Sequence, residues 1–261
     1  RRVDHALPRG IAVVAWWLST IVVMYRAGLP EGSYIATLTG ATAALGAGLM
    51  ALAGSISVAG AAGAYLGFFS GLLIWAWHEV SYLFGFVTGP RTEPCPPEAR
   101  GWDRFVLGLR TCVYHELLIV ATAIMLAVAT WNSDNRIALW TFSVLWLMRW
   151  SVKLNIFLGV RNLHFEYLPP HLGYLSTFVR KRNMNELFPL SMFLSLGVFL
   201  LLVSAAIGAP AASASGVGAT LLATLLGLAI VEHGLLVVNL DDSFLWRLGL
   251  RSRDDGGAAP S

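Results

Sequence analysis

Long apolar runs separated by short polar breaks dominate this chain. Each run is near the 20 residues that cross a hydrocarbon core of roughly 30 Å as a helix. The pattern predicts about seven such helices, at 10–27, 34–54, 56–87, 105–131, 136–159, 188–208 and 217–240. The first carries Trp16 and Trp17, residues suited to the membrane–water interface. The second reads GATAALGAGLMALAG, and small residues at that density let neighbouring helices approach closely. The third continues through AYLGFFSGLLIWAWHEVSYLFGF to Val87. As one helix it would measure roughly 48 Å and would have to tilt or project from the bilayer.

The breaks are as informative as the runs. Residues 1–9 form a short polar arm, 10–247 the membrane domain, and 248–261 a disordered tail. The loop at 88–104 holds Pro90, Pro94, Pro96 and Pro97, which make it stiff and non-helical. The loop at 160–187 is the densest polar stretch, and Pro169-Pro170 stops regular structure within it, since neither residue donates a backbone hydrogen bond. No period of 20–50 residues marks a repeat array.

Composition sharpens the class. Of 261 residues, 56% are hydrophobic and only 13% charged, and the mean hydropathy is +0.66. Soluble domains carry about 25% charged residues, so this chain lacks the polar surface to face water. It is expected to be an all-α, polytopic helical membrane protein. The net charge of +3 resides in membrane-flanking loops, where basic residues act as anchors and not as a nucleic-acid surface. Four Lys/Arg fall on one predicted face and eleven on the other, which puts the amino terminus outside and the carboxyl terminus in the cytoplasm. Two cysteines, Cys95 and Cys112, make neither a disulfide framework nor a zinc site. No cleavable signal peptide is visible, and the first run reads as a retained helix.

Charge inside a span is costly and needs a reason. His78-Glu79, His115-Glu116 and Glu232-His233 lie on three different helices, and Arg149, Lys153 and Asn155 on a fourth. All sit within roughly 10–18 Å of the same predicted membrane face, at 1.5 Å of rise per residue. His164, Glu166 and His171 occupy the loop on that face. Three readings stay open. Charge pairing would match Glu79, Glu116 and Glu232 with Arg110, Arg149 and Lys153 and hold the bundle in register. A metal site, for iron or zinc, would draw on Glu79, His115, Glu116, Glu166, Glu232 and His233. Against it, no Glu-x-x-His pair is present, and neighbours in a dipeptide diverge by about 100° on a helix. Pigment ligation would use His78, His164 or His171 as an axial ligand to a tetrapyrrole metal. No phosphate-binding loop, G-x-S-x-G elbow or Cys–His nucleophile pair appears.

Four motifs in order, GPRTEPCPP, YHELL, KLNIFLGVRNLHFEYLPPHLGYL and MNELFPLS, resemble the PuhE family over roughly 10–247. Its members are membrane proteins of phototrophic purple bacteria, described as photosynthetic complex assembly proteins. The resemblance implies a bacterial inner membrane, cytoplasmic or intracytoplasmic. It also implies reaction centre and light-harvesting 1 subunits and membrane lipids as partners, and a link to bacteriochlorophyll. A metalloenzyme and a permanent subunit of the mature complex are the alternatives.

Overall fold

A computed structural model describes residues 5–163, 165, 168–210 and 212–238. Eight helices make up the described fold: α1 Ala6–Ala27, α2 Tyr34–Ser57, α3 Gly60–Leu83, α4 Gly101–Arg110, α5 Val113–Ala129, α6 Ile137–Leu158, α7 Leu187–Gly208 and α8 Ala214–Leu235. Among the described residues five are long and apolar enough to cross a membrane, or six if the bent pair α4–α5 forms one span. The sixth helix is 22 residues long but carries Arg149, Lys153 and Asn155, which lower its hydropathy. The expected tail at 248–261 lies outside the described residues.

Helix alternation gives the bundle two ends. One holds the turns around 28–33, 84–100 and 159–186, and carries most of the basic residues. The other holds the start of α1 and the turns around 58–59, 130–136 and 209–213. They are called the basic end and the far end below.

Two expected helices differ from expectation. The one expected over 56–87 is the shorter α3: α2 extends to Ser57, and α3 starts only at Gly60, after a tight turn. Gly60 makes that turn with φ +71°, a left-handed conformation in which a Cβ is strained. Asn135 clamps it, donating from its side-chain amide to the carbonyls of Ser55 (2.9 Å) and Gly63 (2.8 Å). The same side chain accepts the Ile137 N–H at 3.1 Å, so one residue ties the α2–α3 turn to the start of α6.

The run at 105–131 is divided, with α4 and α5 meeting at 68°. The loop after α3 wedges into the break. Thr88 accepts the His115 N–H at 3.0 Å, and the Arg91 N–H reaches the Arg110 carbonyl at 3.3 Å. Gly89 makes this approach feasible, since a Cβ there would stand 2.6 Å from the Thr111 carbonyl carbon. The short α4 keeps Trp102 72% exposed, as expected of an aromatic at a membrane interface.

The third helix is the axis of the bundle, packed on α2, α6 and α8, with α7 on the outer side of α8. Towards the far end Phe68 of α3 meets Ile137 of α6 and Leu221 and Leu225 of α8. Midway, Ile74 and Trp75 pack on Ile119, Leu126 and Phe142. At Gly71 the α3 and α6 backbones nearly touch: a Cβ would stand 2.7 Å from Thr141 Cβ and 2.8 Å from the Ala138 carbonyl oxygen.

Candidate functional site

The sixth helix gathers the polar side chains of the basic end. Over its last three turns it presents Arg149, Ser151, Lys153 and Asn155, each directed to a different neighbour. Arg149 pairs with Glu79 of α3 at 3.2 Å. Lys153 pairs with Glu116 of α5, which is 7% exposed and also accepts the Trp146 indole N–H at 3.4 Å. The Lys153 ammonium stands 5.0 Å from the centroid of the Tyr82 ring, a cation–π contact that helps a charge sit away from water. Ser151 meets His233 Nε2 of α8 at 2.9 Å. His233 Nδ1 lies 2.9 Å from the Ala229 carbonyl, which can only accept. The ring proton therefore sits on Nδ1, and Nε2 accepts the Ser151 hydroxyl.

Below this level the chain is stitched by asparagine. Asn155, fully buried, donates to Ser191 of α7 at 3.1 Å. Asn185 donates its amide to Asn155 Oδ1 (3.0 Å) and to the Gly159 carbonyl (3.0 Å), while its own oxygen caps the Leu187 and Phe188 N–H groups that open α7. Asn162 donates to the Leu235 and Val238 carbonyls at the end of α8, both at 2.6 Å. Arg104 of α4 reaches the Phe178 and Phe157 carbonyls and covers the Phe157 ring at 4.0 Å.

A pair of histidines lies beside these ion pairs. His78 is 2% exposed and contacts Thr122 Oγ1 through Nε2 at 3.0 Å, while its Nδ1 has no hydrogen-bond partner among the described residues. His115 is fully buried, and neither ring nitrogen has a hydrogen-bond partner among the described residues. Its ring lies 4.7 Å from that of Tyr82 and 6.3 Å from that of His78, centroid to centroid. In the loop, His171 packs against Gly85 and the Tyr34 ring, and its Nε2 also has no partner among the described residues. Nearby, burial pushes the Tyr174 phenol above its ordinary pKa.

The expected charge pairing is thus realised in two of its three parts. Glu79 and Glu116 find Arg149 and Lys153. Arg110 is exposed on α4 and forms no ion pair with Glu232 among the described residues. Glu232 forms no ion pair among the described residues. Of the expected metal ligands, no three His, Cys, Asp or Glu side chains are placed to share an ion among the described residues. Glu166 and His164 lie outside the described residues. Sequence reading did not find Ser151, Thr122 or Asn135. Asn135 had a signal: an asparagine two residues before an apolar helix is in position to cap it. Ser151 and Thr122 carried none, being ordinary hydroxyls in apolar helices.

These features define an all-helical protein with several helices long and apolar enough to cross a membrane, and with buried charges paired across helices at one end. The chain belongs to the family described as "Protein of unknown function (DUF3623)", which matches residues 3–256. A relative from Rhodobacter capsulatus, described as "Uncharacterized 30.4 kDa protein in puhA 5'region", is 33% identical over 250 residues, covering 93% of this chain and 90% of its own. No solved structure matches it.

Proposed function

We propose that this protein is a seven-span assembly factor for the photosynthetic reaction centre–light-harvesting complex, holding membrane subunits or bacteriochlorophyll while the complex forms. The observation that carries this reading is the relative in the puhA 5' region of a phototroph, 33% identical across nearly the whole chain, in line with the PuhE resemblance. A holding role also suits the chemistry. The strongest intramembrane charges are occupied in internal pairs, and α1, α2 and α7 present broad apolar faces, with only 6% of the α7 span buried. In this reading α6 crosses the membrane too, its cationic residues neutralised by Glu79 and Glu116, and α4–α5 forms one bent span. The basic end then faces the cytoplasm, by the excess of Lys/Arg there. The test is mild-detergent purification of the tagged protein from a phototrophic host. Reaction centre or light-harvesting 1 subunits, or bacteriochlorophyll, are expected to accompany it; recovery of none of them overturns the proposal. Finding the protein at fixed ratio in intact purified complexes would make it a permanent subunit instead.

A second reading is carried by His115, whose two ring nitrogens are buried without hydrogen-bond partners. Buried polar atoms are normally satisfied, and an imidazole left open is suited to a transition ion or a tetrapyrrole metal. His78 would be the companion ligand. Elemental and pigment analysis of the purified protein decides it: metal or pigment near one per chain, lost in His115→Ala, supports a site, and an unchanged trace level removes it.

A further inference from the structure

A groove of about 320 Å³ opens at the far end of the bundle, between α1 and α7, with α8 as its floor. Its lining changes character with depth. At the rim stand Arg9 of α1 and His5, which precedes that helix, and His5 Nδ1 lies 2.8 Å from the Thr220 hydroxyl of α8. Deeper in, Val13, Phe199 and Gly227 give apolar walls, the Phe199 ring lying across Gly227, where a Cβ would stand 3.1 Å from it. Arg9 is exposed and takes part in no ion pair among the described residues.

We propose that this groove is a binding site for one anionic phospholipid, its phosphate at Arg9 and an acyl chain laid along α8. The dimensions select the occupant. From Thr220 to Gly227 the floor runs roughly 10 Å, so the volume corresponds to a cross-section of about 30 Å². That accommodates a hydrocarbon chain. The charge selects the head group. A guanidinium offers a phosphate paired, charge-assisted hydrogen bonds, and a zwitterionic lipid brings its own cation to the same place. The gradient from charged rim to apolar depth follows that of a lipid leaflet, and the groove opens on the face that lipid would surround.

The test uses the full chain in detergent, offered phosphatidylglycerol or phosphatidylcholine and read by native mass spectrometry. One phosphatidylglycerol per chain is expected, preferred over phosphatidylcholine by about tenfold. Arg9→Gln should erase the preference while leaving weaker retention of both lipids. Val203→Trp, which fills the groove from the α7 wall, should abolish retention, whereas Val203→Ala should keep it. If Val203→Trp fails to fold by circular dichroism, Ile207→Trp at the exposed rim takes its place. Equal retention of the two lipids by the native sequence, retention unaffected by the tryptophan variant, or a polypeptide held there in place of lipid overturns the proposal. The proposal does not depend on the assembly role, since it concerns the far end and is read on the isolated protein.

Discussion

The two ends of the bundle are joined by different physics. At the basic end, α6 is tied to α3, α5 and α8 by ion pairs and by the Ser151–His233 contact. Towards the far end the same α6 meets α3 and α8 through small residues and branched aliphatics, with Gly71 against Ala138 and Thr141, and Ile137 against Val217 and Leu221. Charge fixes which residue faces which, because a shift of one turn would leave a carboxylate unpaired in hydrocarbon. Close packing fixes distance, because lipid tails compete with any apolar contact that is not tight. A bundle with both devices has its register set at one end and its interhelical spacing at the other.

Four substitutions would break or sharpen this contrast, read as unfolding midpoints in detergent micelles. Glu116→Ala alone should be the most damaging, about 3–5 kcal/mol, because Lys153 is left as an uncompensated charge. The double change Glu116→Met with Lys153→Met should recover most of that loss. If the double variant is as unstable as the single, the pair is more than a matter of charge and the contrast fails. Gly71→Val should cost about 1–3 kcal/mol by overpacking against Thr141. Adding Thr141→Ala should not rescue it, because the Ala138 carbonyl is backbone and stays in place. Asn135→Ala should cost about 1–2 kcal/mol, as the Ser55 and Gly63 carbonyls and the Ile137 N–H lose their partner together. Smallest is Ser151→Ala, at about 1 kcal/mol, which removes one hydrogen bond from His233. A Ser151→Ala loss as large as that of Glu116→Ala would mean that hydrogen bonds and not charges set the register.

Helix identity was legible in the sequence because membrane-length apolar runs are unambiguous, and α6 and α7 fall within a residue of their expected limits. The break at Thr111-Cys112 was not, nor was the place of the α2–α3 turn, which falls at Val58-Ala59 and not near residue 55. Their causes, the Asn135 clamp and the backbone wedge around Thr88 and Gly89, come from elsewhere in the chain. The expected site was half visible. Counting residues from helix ends brought Glu79, Glu116, Arg149 and Lys153 to one level, because rise per residue is fixed. Rotation about each helix axis is not fixed by counting, so Arg110 was included among the pairing bases and instead faces outward. Hydroxyl partners such as Ser151 and Thr122 are invisible until packing brings them next to an imidazole.

The Asn162 contacts bear on the order in which the protein is made. This side chain sits in the loop after α6, and the carbonyls it holds belong to the last helix, some 73–76 residues further along. While the ribosome is still delivering α7 and α8, Asn162 has no α8 carbonyl to hold. The Asn162 fastening therefore closes last, and a nascent chain stopped before its final helix would carry this polar loop held only by its earlier contacts, such as Arg104 with the Phe178 carbonyl.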